Sequence, residues 1–162
     1  ELWLRGVKAN LARAPAGGDR DVARDILAGI CDIGIANAYY VGRMKNAEPG
    51  SEQHQWGEAI KVIRPTFDVD GGGTHVNISG AALARHAPNR DNAVALLEYL
   101  VSDEAQSLYA RANYEYPVKA GVDLDPVVAS FGELRVDPLP LEEVVANRRL
   151  ASELVDKVGF DN

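Results

Sequence analysis

The order of a helix, a glycine and a short apolar run near the start of the chain constrains its fold most strongly. Asp19 suits the N-cap of a helix that carries Ile26 on its apolar face and stops at Gly29. The next residues, Ile30-Cys31-Asp32-Ile33-Gly34-Ile35-Ala36, form a short apolar stretch typical of a buried strand. A helix followed by a buried strand is the signature of an α/β layer. We therefore expect an α/β fold.

Two adjacent tyrosines follow this predicted strand directly. The strand ends at Asn37, and the segment from Ala38 to Val41 is predicted to begin a helix, which places Tyr39 and Tyr40 at the carboxyl end of the strand. Ligands bind at this edge in open α/β folds. A tyrosine beside a trivalent cation loses its proton and becomes a hard, anionic oxygen ligand. The pair is therefore a candidate site for a hard metal ion.

The backbone must bend for both tyrosines to reach one metal ion, since neighbours on a strand point to opposite faces. A junction between strand and helix supplies such a bend. Arg43, four residues after Tyr39, is placed to stabilise phenolate charge on the same helical face, and Asn37 adds an uncharged polar side chain. The pair spacing leaves two other interpretations open. Both rings pack in a core with satisfied hydroxyls, or one tyrosine serves an enzyme as a general acid or base.

Further elements are predicted from capping residues and apolar spacing. The predicted helices are Leu2 to Leu11, Gly80 to His86 after Ser79, a helix capped by Asp91, Asp103 to Arg111 after Ser102, and about Leu141 to Val158. The predicted strands and loop are an edge strand from Ile60 to Arg64, a short strand at Val76 and Ile78, and a polar loop from Asn46 to Gln55.

Composition excludes several classes of protein. The 162 residues include 24 acidic and 17 basic side chains, for a net charge of −7, which argues against binding to nucleic acid. Apolar residues make up 46%, enough for a real core. No apolar run is long enough to cross a bilayer, and nothing at the start resembles a signal peptide. The single cysteine, Cys31, cannot form an internal disulfide and is expected in the core.

The tyrosine segment also carries a resemblance to a known family. The run from Cys31 to Tyr40 closely resembles the ligand segment of ferric-ion-binding periplasmic proteins, the receptors of iron ABC transporters. The similarity covers nearly the whole chain and keeps the order of the motifs. The other matching segments are Gly73 to Ala82, Ala87-Pro88-Asn89, Leu96 to Ala105 and Asn113 to Val118.

The resemblance implies a two-lobed class II periplasmic binding fold of which this chain is the C-terminal half. Residues 1–64 would belong to the tyrosine-bearing lobe, residues 65–118 would contribute to the other lobe, and residues 119–162 would return with the terminal helix. Tyr39 and Tyr40 match the paired iron tyrosines. Asn37 matches a residue that helps hold a synergistic anion in some members.

The implied function is capture of Fe(III), with an anion such as carbonate or phosphate, and delivery to an inner-membrane ABC permease with its ATPase. The location would be the periplasm, or an extracytoplasmic, membrane-tethered position in a Gram-positive bacterium. Another cargo on the same fold, an organic anion or a polyamine, stays open. Because further iron ligands would lie in the missing N-terminal half, we expect an incomplete site and a chain that forms dimers or aggregates.

Overall fold

The computed structural model describes residues 1–66 and 72–160, and over these ranges the chain is helical. No helix in these ranges is long and apolar enough to span a membrane. Within them, one isolated parallel bridge joins Thr74 to Val136, and no β-strand forms. The helices are α1 (Leu2–Ala9), α2 (Asp19–Leu27), α3 (Ala38–Lys45), α4 (Glu52–Ala59), α5 (Arg90–Leu100), α6 (Asp103–Asn113), α7 (Pro126–Ser130), α8 (Leu141–Ala146) and α9 (Arg148–Val158).

The segment predicted as a buried strand is extended but neither paired nor buried. Ile33 is 79% exposed and Ile35 is 86% exposed. A strand requires a neighbouring backbone that accepts and donates its hydrogen bonds, and the described residues place none beside this segment. The α/β prediction is therefore not confirmed in this chain. The predicted strands from Ile60 to Arg64 and at Val76 and Ile78 are missing for the same reason.

Helix α2 begins one residue away from its predicted cap. Gly18 is the N-cap, and its N–H donates to Asp21 Oδ2 at 2.8 Å. Asp19 is instead the first helical residue, so its carboxylate is available for another contact. The cap predicted for α6 is confirmed, because Ser102 Oγ accepts from the N–H of Ala105 at 3.2 Å.

Three further predictions differ from the structure. Helix α4 lies partly within the predicted loop, because Ser51 Oγ caps it by accepting from the N–H of His54. The stretch from Gly80 to His86 is not helical; it is mostly exposed, and so short a helix needs a buried face to be stable. The terminal helix divides at Asn147, whose side-chain amide donates to the Glu143 carbonyl and competes with regular helical bonding.

The core beneath the tyrosine segment is formed where α4 packs against both α3 and α2. Val41 and Met44 on α3 are buried. The backbones of α3 and α4 approach closely at Gly57, where a Cβ atom would lie 2.7 Å from the Lys45 nitrogen. Cys31, expected in this core, is half-buried and free. The buried face of α3 is thus fixed, and the two half-buried tyrosines lie in the first turn of the same helix.

A buried carboxylate ties the loop before α2 to that helix. Asp25 is 5% exposed and accepts from Arg13 Nε at 2.8 Å and Arg24 Nη2 at 3.1 Å. The pKa of Asp25 lies below its usual value, chiefly because Arg13 hydrogen-bonds the charged form. This ion pair helps anchor the helix that faces the tyrosine segment.

Candidate metal site at the start of α3

Tyr39 and Tyr40 lie side by side in the first turn of α3. Asn37 before them is extended, with φ −74° and ψ 134°, and the chain becomes helical at Ala38. The ring centroids are 4.3 Å apart with 31° between the ring planes, and both side chains are half-buried. The bend at the start of α3 brings the two rings together. The backbone N–H groups of a helix start also favour negative charge there.

The turn that presents the tyrosines is held by α2. The extended segment returns along α2 so closely that a Cβ atom on Gly34 would lie 2.1 Å from Val22 Cγ1. At its end, Asp19 Oδ1 accepts from the backbone N–H and from Nδ2 of Asn37, the latter at 3.0 Å. One side-chain N–H of Asn37 is thus committed to Asp19, and the second is left for another acceptor.

Each tyrosine ring has an arginine over its face. The guanidinium carbon of Arg43 lies 5.3 Å from the Tyr39 centroid, and its Nη2 donates to Asn113 Oδ1 at 3.4 Å. The guanidinium carbon of Arg20, from α2, lies 5.8 Å from the Tyr40 centroid. Both distances fall within the range of cation–π attraction. The structure therefore places Arg43 where the sequence predicted it and adds Arg20.

The segment after α6 forms the wall behind α3. Tyr114 adopts a left-handed backbone with φ 58°, uncommon for a residue other than glycine. Its ring lies directly on Gly42, where a Cβ atom would be 2.6 Å from Tyr114 Cγ. This contact requires glycine at position 42 and brings Asn113 beside Arg43.

The phenol of Tyr39 holds its proton tightly in the metal-free chain. The pKa of Tyr39 is raised above its usual value near 10, first by hydrogen bonding with the Tyr40 hydroxyl and next by partial burial. The charge of Asp19 acts in the same direction, and Arg43 acts in the opposite one. A metal ion bound by Tyr39 must displace the proton of this phenol.

Sequence reasoning found the residues that share one element and missed those from distant ones. Asn37, Tyr39, Tyr40 and Arg43 lie within seven positions, so local geometry predicts their proximity. Arg20 and Asn113 come from α2 and from the end of α6, and no local pattern connects them with α3. In the described part of the chain, no group of three or more His, Cys, Asp or Glu side chains is arranged to hold a metal ion. The tyrosine pair is therefore the metal-site candidate that these residues support.

Comparison with known proteins decides the relationship. No family model matches the chain. A structure described as a Bordetella ferric binding protein is 76% identical, with a TM-score of 0.91 over 99% of this chain and 50% of that one. The chain is homologous to ferric-binding proteins.

Two further proteins named for iron uptake or for iron binding are also similar to this chain. Iron uptake protein A2 of Synechocystis is 42% identical over 158 residues, which are 98% of this chain and 45% of the relative. A Trichodesmium protein named IdiA or FutA, in complex with iron and citrate ligands, is 39% identical with a TM-score of 0.89 over 98% of this chain and 49% of that one. The chain thus spans about half the length of the ferric-binding relatives it matches.

Proposed function

We propose that this chain binds Fe(III) through the phenolate oxygens of Tyr39 and Tyr40. The observation that carries the proposal is the arrangement of the pair, with ring centroids 4.3 Å apart at the start of α3. Two anionic oxygen donors suit a hard trivalent ion better than a soft one. Homology to ferric-binding and iron uptake proteins supports iron as that ion.

We further propose that the chain acts as one half of an extracytoplasmic receptor that delivers iron to an ABC permease with its ATPase. Its length supports this, because the relatives are about twice as long and the chain matches half of each. On this view residues 1–64 and 119–162 belong to the tyrosine-bearing lobe and residues 65–118 to the second lobe. The remaining half would complete a two-lobed type II binding fold and supply the other iron ligands.

An oxyanion is proposed to complete the coordination, with Asn37 as one of its contacts. One side-chain N–H of Asn37 donates to Asp19, and the second N–H of the same amide is a suitable donor to the anion. The named relative with iron and citrate ligands supports an anion of this general kind.

The charges around the tyrosines weigh against a polyamine as the alternative cargo. Arg20 and Arg43 both lie over the rings, and a polycation would be repelled by two guanidinium groups. An organic anion without iron stays a second candidate on the same evidence. Enzymatic use of a tyrosine receives no support from the relatives, which are named for iron uptake and ferric binding.

The test is optical. Tyrosinate bound to Fe(III) produces a visible charge-transfer band, which neither an organic anion nor protonated tyrosine produces. We expect this band when Fe(III), supplied as its nitrilotriacetate complex, is titrated into the chain. A titration with Zn²⁺ serves as the control, because it gives no such band. Absence of the band at millimolar Fe(III) would contradict the proposed function.

A further inference from the structure

Arg64 joins three separate parts of the chain through one side chain. It lies in the non-helical stretch after α4 and is half-buried. Its Nη1 donates to the carbonyl of Gly132 after α7, and its Nη2 donates to the hydroxyl of Tyr116 after α6. Its guanidinium carbon also lies 5.5 Å from the Tyr116 ring centroid, within the range of cation–π attraction. These contacts span 68 and 52 positions, so the side chain fixes tertiary structure.

Residues 113–116 connect this contact with the tyrosine site. At one end of the segment, Asn113 Oδ1 accepts from Arg43 Nη2 at 3.4 Å, and the ring of Tyr114 lies against α3. At the other end is the ring that the guanidinium group holds. One short segment therefore touches α3 at its start and is clamped at its end.

The backbone of this segment needs such a clamp. Tyr114 has φ 58°, and a left-handed backbone at a residue other than glycine persists only when the surrounding structure enforces it. Farther along, the N–H of Val118 donates to Oε1 of the buried Gln106 at 2.8 Å. Because that second anchor is independent of Arg64, loss of the clamp should loosen the segment without detaching it.

We propose that Arg64 is a positioning residue of the tyrosine site that acts through residues 113–116 on Arg43. This inference rests on the proposed function, because its effect on binding requires iron at Tyr39 and its neighbour. With the clamp in place, Asn113 is a fixed acceptor for Arg43, whose guanidinium covers the Tyr39 ring. Without it, the acceptor moves and the ring loses part of its restraint.

The experiment is a double-mutant cycle in the complete receptor, with the visible band as readout. Arg64→Gln should weaken Fe(III) binding by about three- to tenfold, the loss expected for one net hydrogen bond. Asn113→Ala, which removes the acceptor for Arg43, should cause a loss of similar size by the same reasoning. Residues without a shared partner contribute additively. Because the link is already broken in Asn113→Ala, adding Arg64→Gln to it should weaken binding by less than about twofold further.

Two more variants separate positioning from general stability. Tyr116→Phe removes only the hydroxyl that accepts from the guanidinium and should reproduce the loss seen in Arg64→Gln. The matched control is Lys8→Gln, because Lys8 also donates to carbonyls in a distant part of the chain, those of Val158 and Gly159. It should lower the melting temperature and leave iron affinity unchanged.

A signal that needs no iron tests the same link. The NMR resonances of the Arg43 guanidinium should shift in Arg64→Gln and Tyr116→Phe and stay in place in Lys8→Gln. An unshifted Arg43 signal, unchanged affinity in Arg64→Gln, or full additivity with Asn113→Ala would each overturn the proposal. Absence of the tyrosinate band in the unmodified receptor would instead refute the proposed function, and the NMR comparison would still decide whether Arg64 positions Arg43.

Discussion

Each tyrosine ring of the site is held by contacts to its faces, while the two hydroxyl groups hydrogen-bond one another. The rings stack on one another and under the guanidinium groups of Arg20 and Arg43, so ring orientation is set by their faces. Removal of a hydroxyl should therefore spare the ring packing and remove the donor oxygen together with its hydrogen bond to the neighbouring tyrosine. Replacement of either tyrosine by phenylalanine therefore tests whether its hydroxyl oxygen binds the metal.

In the complete receptor, Tyr39→Phe and Tyr40→Phe should each weaken Fe(III) binding by orders of magnitude while the melting temperature changes little. Each variant lacks one anionic oxygen ligand but keeps the ring and its arginine contact. The measurement is a competition titration against nitrilotriacetate with the visible band as readout. Tyr99→Phe on α5, where the ring is 41% exposed, is the control and should bind normally. Normal affinity in both Tyr39→Phe and Tyr40→Phe would refute the site assignment.

Iron affinity should fall as the pH falls, because protons and iron compete for the same oxygens. The pKa of Tyr39 is raised by its bond with Tyr40, so that phenol is protonated at every pH below about 10 and must release its proton to bind. Two phenols make affinity fall by about 100-fold per pH unit. The measurement is the apparent Kd between pH 6 and pH 8, corrected for protonation of the chelator.

The same titration in Tyr40→Phe provides an internal control for the pH dependence. One remaining phenol releases one proton, so the slope should fall to about tenfold per pH unit. A slope that is identical in the two proteins would show that Tyr40 does not ionise when iron binds.

At the scale of elements, helix α3 is fixed from two sides. Gly57 lets α4 approach its backbone, and Tyr114 lies on Gly42 from the end of α6. The same α6 terminus contributes Asn113, which accepts from Arg43. Packing around α3 and the arrangement of the site are therefore linked.

Gly42→Ala should lower the melting temperature and weaken iron binding together. Its Cβ would lie 2.6 Å from Tyr114 Cγ, and such overpacking costs about 1–3 kcal/mol. Displacement of Tyr114 would also carry Asn113 away from Arg43. The matched control is Gly6→Ala in α1, where no atom lies within 4 Å, and it should raise stability by about 0.5–1 kcal/mol. Equal melting temperatures for the two variants would contradict the close packing of Tyr114 on α3.

Local signals predicted the elements that depend on local interactions. Ser102 was identified as a cap because it bonds three residues ahead, and α3 was expected after Asn37. Helix α4 was missed because its residues, Glu52–Ala59, show no apolar stripe. The segment from Ile30 to Ala36 has strand-like composition, but a strand forms only when another backbone pairs with it.

The residues of the candidate site also fall into those that local sequence predicts and those that it does not. Proximity of Tyr39, Tyr40 and Arg43 follows from helix geometry and was predicted. Arg20 is 20 positions from Tyr40, and Asn113 is 70 positions from Arg43, so tertiary packing alone brings them together. Cation–π contacts across such separations leave no periodic trace in a sequence.

At the scale of the whole molecule, the chain exposes far more surface than a compact protein of its size. Its accessible surface is 11849 Å² for a mass of 17.5 kDa, whereas a compact monomer of that mass exposes roughly 7,900 Å². The excess is larger than one partner's half of an obligate interface, which buries about 2,000–5,000 Å² over the two partners together. Ile33 and Ile35, on an extended segment with unpaired backbone groups, belong to this exposed surface.

We expect the isolated chain to self-associate and to bind Fe(III) weakly. Unpaired, apolar extended segments pair with a second copy. Light scattering would detect the dimers or larger species, and the complementary half of a full-length relative, supplied in trans, should restore both a defined complex and tight binding. A monodisperse monomer with full-strength iron binding would contradict the half-receptor proposal.

The double variant Ile33→Lys/Ile35→Lys should reduce self-association, because charged side chains at an open edge oppose pairing. Leu2→Lys is the matched control: Leu2 is 88% exposed but lies on helix α1, away from the extended segment. It should associate like the unmodified chain. Equal association of both variants would locate the contact elsewhere.

The unpaired segment from Ile30 to Ala36 runs directly into Asn37 and the two tyrosines. Any backbone that pairs with it also restricts the turn that presents the phenol groups. Ordering that turn costs conformational entropy, and without such pairing the whole of this cost lowers the affinity for iron. Backbone pairing of this segment and binding of the ion are therefore linked: if pairing raises the affinity for iron, bound iron stabilises the pairing by the same free energy.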